Sequence, residues 1–353
     1  MKIVITGGAG FVGSSLCISL KQKYPQYKII AFDNLKRRGS ELSLVDFKQN
    51  NIEFIHGDIR NSEDLELLQE FDVMIEASAE PSVMAGLDGN PSYVINNNLY
   101  GSINCFNTCI KNKANLIFLS TSRVYPINLI ENANYIEEDT RFWFSEEQKI
   151  NGISNKGISE NLSLKGSRSF YGTTKLSAEL FIQEYCQFYN LKAAITRFGV
   201  IAGPRQMGKT DQGIATLWMA KHFWNQSLKY IGYGGKGKQV RDLLHIDDLI
   251  NLIDIQIHDI EKFNGKIFNA GGGMQCSASL YEMTAYCQKI TGNTITIDSD
   301  VNNRPADLRI YVTNNAKIES EINWKPTKNI ETIFEDIYLW IKENENQLSR
   351  ILK

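Results

Sequence analysis

The chain has 353 residues, enough for one large core or two domains. Hydrophobic residues make up 42% and charged residues 22%, an ordinary soluble balance, and a formal charge of −2 gives no basic footprint for nucleic acid. No apolar run approaches the ~20 residues of a membrane helix, and the N-terminal MKIVITGGAG breaks into glycines without a signal-peptide cleavage pattern.

The expected setting is therefore the cytoplasm, with neither nucleic acid nor membrane as a partner. Cys17, Cys105, Cys109, Cys186, Cys276 and Cys287 form no C-x-x-C pair, and most lie in apolar surroundings such as SINCFNTCI. They read as reduced core thiols. His56, His222, His245 and His258 lack ligand spacing on one helix face, so no metal is expected.

The first predicted strand, KIVIT (2–6), runs into Gly7-Gly8-Ala9-Gly10-Phe11-Val12-Gly13, with a helix expected over 12–20. Glycines at 7, 10 and 13 suit a tight turn, a backbone close to a pyrophosphate, and close helix–strand packing. The helix N-terminus then offers its N–H groups to the phosphates. A second strand, KIIAF (28–32), delivers Asp33, a carboxylate that accepts ribose hydroxyls and repels a 2′-phosphate, favouring NAD over NADP. Arg37 and Arg38 stand close enough to bind a 2′-phosphate instead. Asp58 ends the third strand, IEFIHG (52–57), as an acceptor for adenine or as the cap of the next helix.

Strands DVMIEA (72–77), NLIFLS (115–120) and AAITRF (193–198) alternate with amphipathic stretches over 93–111 and 172–190. This alternation predicts a doubly wound parallel sheet of Rossmann type, an α/β fold, followed by a smaller C-terminal substrate-binding domain. The expected boundaries are 1–200 for the dinucleotide domain, with 240–260 returning to it, and 201–353 for the substrate domain. A polar stretch at 126–168 is too long for a plain connection, so it reads as functional or partly disordered. Residues 329–353 read as one helix.

Tyr171 and Lys175, in SFYGTTKLSAEL, lie four residues apart at a helix start and so share a face. A tyrosine titrating near ~10 is a poor base at neutral pH; a nearby ammonium favours its phenolate. Thr121, ending the fifth strand, stands where a parallel sheet places ligand contacts and can hold a substrate oxygen beside Tyr171.

GPRQMGKT (203–210) fits the phosphate-loop pattern G-x-x-x-x-G-K-[ST]. Three points oppose that reading: Gly213 interrupts the first turn of the following helix, no later apolar strand ends in a magnesium-binding Asp, and the strand leading in belongs to the dinucleotide sheet.

Taken together, TGGAGFVG, FDNLKRRG, HGDIR, LSTSRVYP, YGTTK, GPRQ, VRDLLHIDD, NRPADLR and INWKPTKNIETI resemble, in order, the extended short-chain dehydrogenase/reductases of the nucleotide-sugar epimerase and dehydratase family. The resemblance implies NAD contacts or packing at Gly7, Gly10, Phe11, Val12, Gly13, Asp33, Asn34, Arg37, Asp58, Ile59 and Asn98. It implies catalysis by Thr121, Tyr171 and Lys175, and a homo-oligomer, dimer or tetramer, paired through the Tyr171 helix. Ser122, Arg123, Arg241, Arg304 and Asp307 would face the nucleotide sugar; a surface ion pair is the alternative for Arg241. Asp247 reads as the cap of a helix starting at Asp248. The chain departs from the family at Glu76-Ala77-Ser78-Ala79-Glu80, where His-x-A-A is common, and at Pro126, where V-Y-G is common.

Family dehydratases carry Asp-Glu after the threonine and decarboxylating members a glutamate before the valine; Ser122-Arg123 supplies neither. The basic residue before Val-Tyr and the loop GPRQMGKTDQG are similar to the CDP-paratose 2-epimerases, implying a CDP-linked substrate held by Arg205, Gln206, Asp211 and Gln212. UDP-sugar 4-epimerases and non-catalytic NAD-sensing regulators on the same fold are the alternatives; the Tyr171–Lys175 pair weighs against the latter.

Overall fold

The computed structural model describes residues 1–209 and 212–353. The apolar runs of the N-terminal region become β1 (Lys2–Thr6), β2 (Lys28–Asp33), β3 (Glu53–His56), β4 (Val73–Glu76) and β5 (Asn115–Thr121). Strands β3–β2, β2–β1, β1–β4 and β4–β5 pair in parallel. With Ala193–Phe198 and Ile267–Ala270 they form one seven-stranded sheet in the order 267–270, 193–198, β5, β4, β1, β2, β3. Residues Ile3–Thr6, Val73–Glu76 and Ala193–Phe198 are buried throughout, as strands covered by helices on both faces must be. This is the doubly wound α/β sheet that the alternation predicts. Its strand order reverses between β1 and β4, and the carboxyl ends of strands at such a reversal leave a crevice for ligands.

Val4, Met74, Leu116 and Phe118 pack with Cys105, Phe106 and Cys109 of the helix Gly101–Asn112 and with Ala178 and Ile182 of the helix Phe170–Tyr189. The Phe106 ring meets Phe118 edge-on at 5.9 Å. Helix α1 covers Phe11–Lys23, longer than the predicted 12–20. Nothing breaks it before Pro25, which holds Tyr24 out of the helical region, and Lys21 and Lys23 suit a C-terminal turn.

The chain forms two compact units, Met1–Val124 with Ser169–Arg197 and Ile250–Phe268, and Tyr125–Arg168 with Phe198–Leu249 and Asn269–Lys353. The stretch 126–168, placed by the sequence in the first domain, clusters in the second unit. It is folded rather than loose, into the antiparallel hairpins Tyr135–Glu137/Phe142–Phe144 and Ile153–Ser154/Gly157–Ile158. The Phe142 amide donates to Lys238 O and the Ile158 amide to Val312 O, at 2.9 and 2.8 Å. Within the second unit, Val200–Ala202, Val240–His245, Ser277–Ser279 and Ile310–Tyr311 form a four-stranded sheet.

Several expectations need correction. The strand-like run 193–201 divides at Gly199: Ala193–Phe198 lies in the seven-stranded sheet and Val200–Ala202 in the four-stranded one. The strand entering GPRQMGKT is therefore not a dinucleotide-sheet strand. The C-terminal helix is two helices, Ile330–Glu343 and Glu345–Leu352. Asn344 separates them; its side-chain amide donates to Trp340 O, the local bonding that makes Asn a helix breaker. The helix after Val240–His245 starts at Ile246, so Asp247 lies in its first turn rather than capping it. Asp248 is spent on Thr327 and on the Lys328 amide.

Candidate active site

The first unit gathers the glycine turn and the ends of β2 and β3. Gly7 has φ +64°, and a Cβ there would lie 2.8 Å from Ala77 O. Gly10 caps α1 with no side-chain hydrogen bond, and the first turn, Phe11 and Val12 included, holds no acid. The helix thus brings no capping side chain or acid of its own to its orphan N–H groups and positive end. Asp33 ends β2; its Oδ2 accepts the Ala9 amide at 3.1 Å and its Oδ1 the Leu35 amide at 2.7 Å. Burial pushes this carboxyl up, and those amides pull it back.

Asp58 caps no helix, since Asn61 takes that position. Its carboxylate is held well below the usual range, chiefly by hydrogen bonds from Arg60, with Nε–Oδ1 at 2.9 Å and Nη2–Oδ2 at 2.6 Å. Asn34 Nδ2 donates to the same carboxylate at 2.9 Å. Arg37 is half-buried, with its carbonyl on the Ser40 amide. Ile59 is a core residue whose carbonyl accepts Asn104 Nδ2. Asn98 is fully buried and clamps the segment after β4, accepting the Glu80 amide and donating to Glu80 O.

The residues expected to carry the chemistry come from three elements of the same unit. Thr121 ends β5, Ser122 and Arg123 form the turn beyond it, and Ser169 caps the helix that carries Tyr171 and Lys175. Tyr171 shares a hydrogen bond with the Thr121 side chain. Thr121 Oγ1 also accepts the Arg123 amide at 3.2 Å. Burial raises the Tyr171 hydroxyl; the Thr121 bond and the Arg123 charge pull it down, while Glu76 and Glu80 add to the rise. Lys175, 2% exposed, places Nζ 3.3 Å from Glu76 Oε2 and 3.8 Å from the Phe118 ring centroid. Two groups at one carbon, an oxygen acceptor and a hydroxyl partner, are what proton removal from an alcohol needs.

The second unit holds the remaining candidates. Arg241 Nη2 donates to Asp307 Oδ1 and Leu308 O, both at 2.7 Å; this ion pair is largely buried, not a solvated surface contact. Arg304 lies three residues before Asp307, with its carbonyl on the Asp307 amide. In the loop after Val200–Ala202, Arg205 adopts φ +76°. Gln206 is engaged within the loop, donating to Ile201 O and accepting from Thr216 Oγ1. Lys209 and Gln212 exchange backbone hydrogen bonds of 2.8 and 3.0 Å. Asp211 lies outside the described residues.

That geometry decides the phosphate-loop question. The helix begins only at Ile214, and Gly213 precedes it at φ +68° rather than interrupting its first turn. The Gly208 and Lys209 amides donate to Gln206 O and Gln212 O, so they are not turned toward an anion.

The match to the NAD dependent epimerase/dehydratase family model covers residues 3–271. The chain belongs to that family. The family member is 30% identical over 352 residues to CDP-paratose 2-epimerase of Salmonella typhi, covering 96% of this chain and 99% of that protein. It is 31% identical over 284 residues to dTDP-D-glucose 4,6-dehydratase of Dictyostelium discoideum, covering 78% and 59%. The solved UDP-glucuronic acid 4-epimerase of Bacillus cereus, in complex with UDP-glucuronic acid and NAD, superposes with a TM-score of 0.79 at 25% identity over 97% and 99% of the two chains.

NAD is the cofactor of this family member, and the residues present fit it. A Cβ on Gly10 would meet only Gly7 O, at 3.2 Å, which leaves the face of the turn open beside an uncapped helix end. Sequence reasoning missed Arg60, which sets the charge of Asp58, and Tyr93, whose ring lies 3.4 Å from Lys36 Nζ and 5.5 Å from Arg60 Cζ. It also passed over Glu76 as a partner for Lys175. The signal was present, as an acid at the end of an otherwise apolar run where the family commonly carries histidine. Among the described residues, no three His, Cys, Asp or Glu side chains group to hold a metal, and no helix is long and apolar enough to cross a membrane.

Proposed function

We propose that the protein inverts C2 of a CDP-linked dideoxy sugar, as a CDP-paratose 2-epimerase. The observation that carries this reading is the turn beyond Thr121. Ser122 and Arg123 stand where a dehydratase of the family carries Asp-Glu, so this turn supplies no acid–base pair for water elimination. The near full-length similarity to a CDP-paratose 2-epimerase supports the same choice.

Tyr171 takes the C2 hydroxyl proton and later returns it, with Thr121 aligning both oxygens. NAD, when bound, would supply the chemistry of hydride removal at C2 and its return to the opposite face, with no net redox change. Arg241 and Arg304 hold the pyrophosphate as the pivot about which the flat 2-keto sugar turns, and Arg205, Gln206, Asp211 and Gln212 reach the substrate. The first unit is the NAD-binding domain and the second the nucleotide-sugar domain. The protein works in a reducing cytoplasm, which suits six cysteines that form no disulfide. It does so as a homodimer: the Tyr171 helix exposes Phe188 and Tyr189 by 71% and 62%, with Leu180 and Phe181 beside them.

Hydride return keeps the original hydrogen on C2, whereas proton abstraction beside a carbonyl exchanges it with solvent. CDP-paratose incubated with the NAD-bound protein in deuterium oxide is expected to give the 2-epimer without deuterium at C2. Deuterium at that carbon refutes the hydride route. Turnover of UDP-galactose with none of CDP-paratose makes the protein a 4-epimerase.

A further inference from the structure

Two buried glutamates in the first unit are held very differently. Glu179 has both oxygens satisfied: Oε1 accepts Ser120 Oγ and Arg197 Nε, and Oε2 accepts Arg197 Nη2 at 2.7 Å. That is how a structural carboxylate is built. Glu76, 0% exposed at the carboxyl end of β4, meets Lys175 Nζ at 3.3 Å and the Ser102 side chain, but its Oε1 is buried without a hydrogen-bond partner; burial pushes this carboxyl up, and Lys175 and Ser102 pull it back. A carboxylate so poorly satisfied is a weak way to stabilise a core, and an apolar residue would serve there at less cost. Its effect is electrostatic. It stands against the ammonium that would otherwise act on Tyr171 as a full positive charge.

We propose that Glu76 is a positioning residue of the reacting centre: it holds the Lys175 ammonium against Phe118 and offsets its charge, so that Tyr171 keeps its proton to higher pH than it would beside an unpaired lysine. This rests on the reading of Tyr171 as the acid–base group. The charged groups acting on Tyr171 are Arg123 beyond β5, Glu76 from β4 and Glu80 beyond β4, with Thr121 as its hydrogen-bond partner; Lys175 lies one helical turn further along its own helix, against Glu76. Those facing Glu76 are Lys175 and, from the helix Gly101–Asn112, Cys105 and Cys109, whose thiols are pushed up first by burial and then by this carboxylate, and so stay neutral.

The test reads Tyr171 directly, as the phenolate absorbance difference between each protein and its Tyr171→Phe counterpart, titrated with and without NAD. Glu76→Gln removes the negative charge and keeps the shape. Phenolate is then expected at lower pH by about one unit, tenfold in proton affinity, the scale of one nearby charge at an effective dielectric of about 20. The acidic limb of the kcat profile moves with it. Glu76→Asp, which retains the charge, is expected to titrate close to the parent. A phenolate transition within about 0.3 units of the parent in Glu76→Gln overturns the proposal. If that variant does not fold, Glu76→His carries the same expectation and the same refutation. Wild-type turnover in Tyr171→Phe would instead remove the reading of Tyr171 on which this one rests.

Discussion

Replacing Tyr171 by phenylalanine keeps the ring and removes the only atom that the mechanism needs. The structure separates the two consequences. For stability, one neutral hydrogen bond to Thr121 is lost, worth about 1 kcal/mol net. Thr121 Oγ1 still accepts the Arg123 amide at 3.2 Å, so no buried acceptor is orphaned. The melting temperature should fall by no more than a few degrees. For chemistry, the proton acceptor is gone, which costs about 10²–10⁴ in kcat, or about 2.7–5.5 kcal/mol of transition-state stabilisation. Turnover of the nucleotide sugar, NAD affinity by calorimetry and thermal unfolding are measured on the same preparation. The expected result is a large fall in kcat with unchanged NAD binding and near-parent stability. A variant that folds, binds NAD and turns over within about threefold of the parent would refute the assignment. A melting temperature lowered by more than about 10 °C would refute the stability argument.

Glu179→Leu alone leaves Arg197 charged in the core and should cost about 3–5 kcal/mol in denaturant unfolding, whereas Glu179→Leu with Arg197→Met should recover much of it. Equal losses in the two would show that packing, not charge, dominates that site. Phe188→Glu on the exposed face of the Tyr171 helix should turn a dimer into monomers without lowering stability; sedimentation of the parent as a monomer would dispose of the dimer reading.

The sequence by itself determined the first five strands, the glycine turn and the four-residue spacing that sets Tyr171 and Lys175 on one helix face. Each depends on local rules: apolar runs that fit a covered strand, glycines where a side chain collides, and one helical turn between two residues. The phosphate-loop match was arguable from sequence, but two of the premises used against it were wrong. Gly213 precedes the helix, and the strand entering the loop belongs to the four-stranded sheet. Both depend on where a strand stops at one glycine and with which neighbour it then pairs, which no local pattern encodes.

Only the tertiary structure decided the partners. Glu76 and Lys175 are 99 residues apart, and Arg241 and Asp307 are 66 apart. Sequence pattern assigned these residues to strand, helix and loop. For Glu76 and Lys175, which charge meets which followed from the order of strands in the seven-stranded sheet and from the packing of the helix Phe170–Tyr189 on β5; Arg241 and Asp307 meet where Val240–His245 pairs with Ile310–Tyr311. The 126–168 segment is the same case: polar and unpatterned when read alone, it folds because the Phe142 and Ile158 amides find carbonyls at Lys238 and Val312. Local sequence limits the backbone to a few states, but a buried charge or an unpaired amide is satisfied only by whatever the whole chain brings beside it.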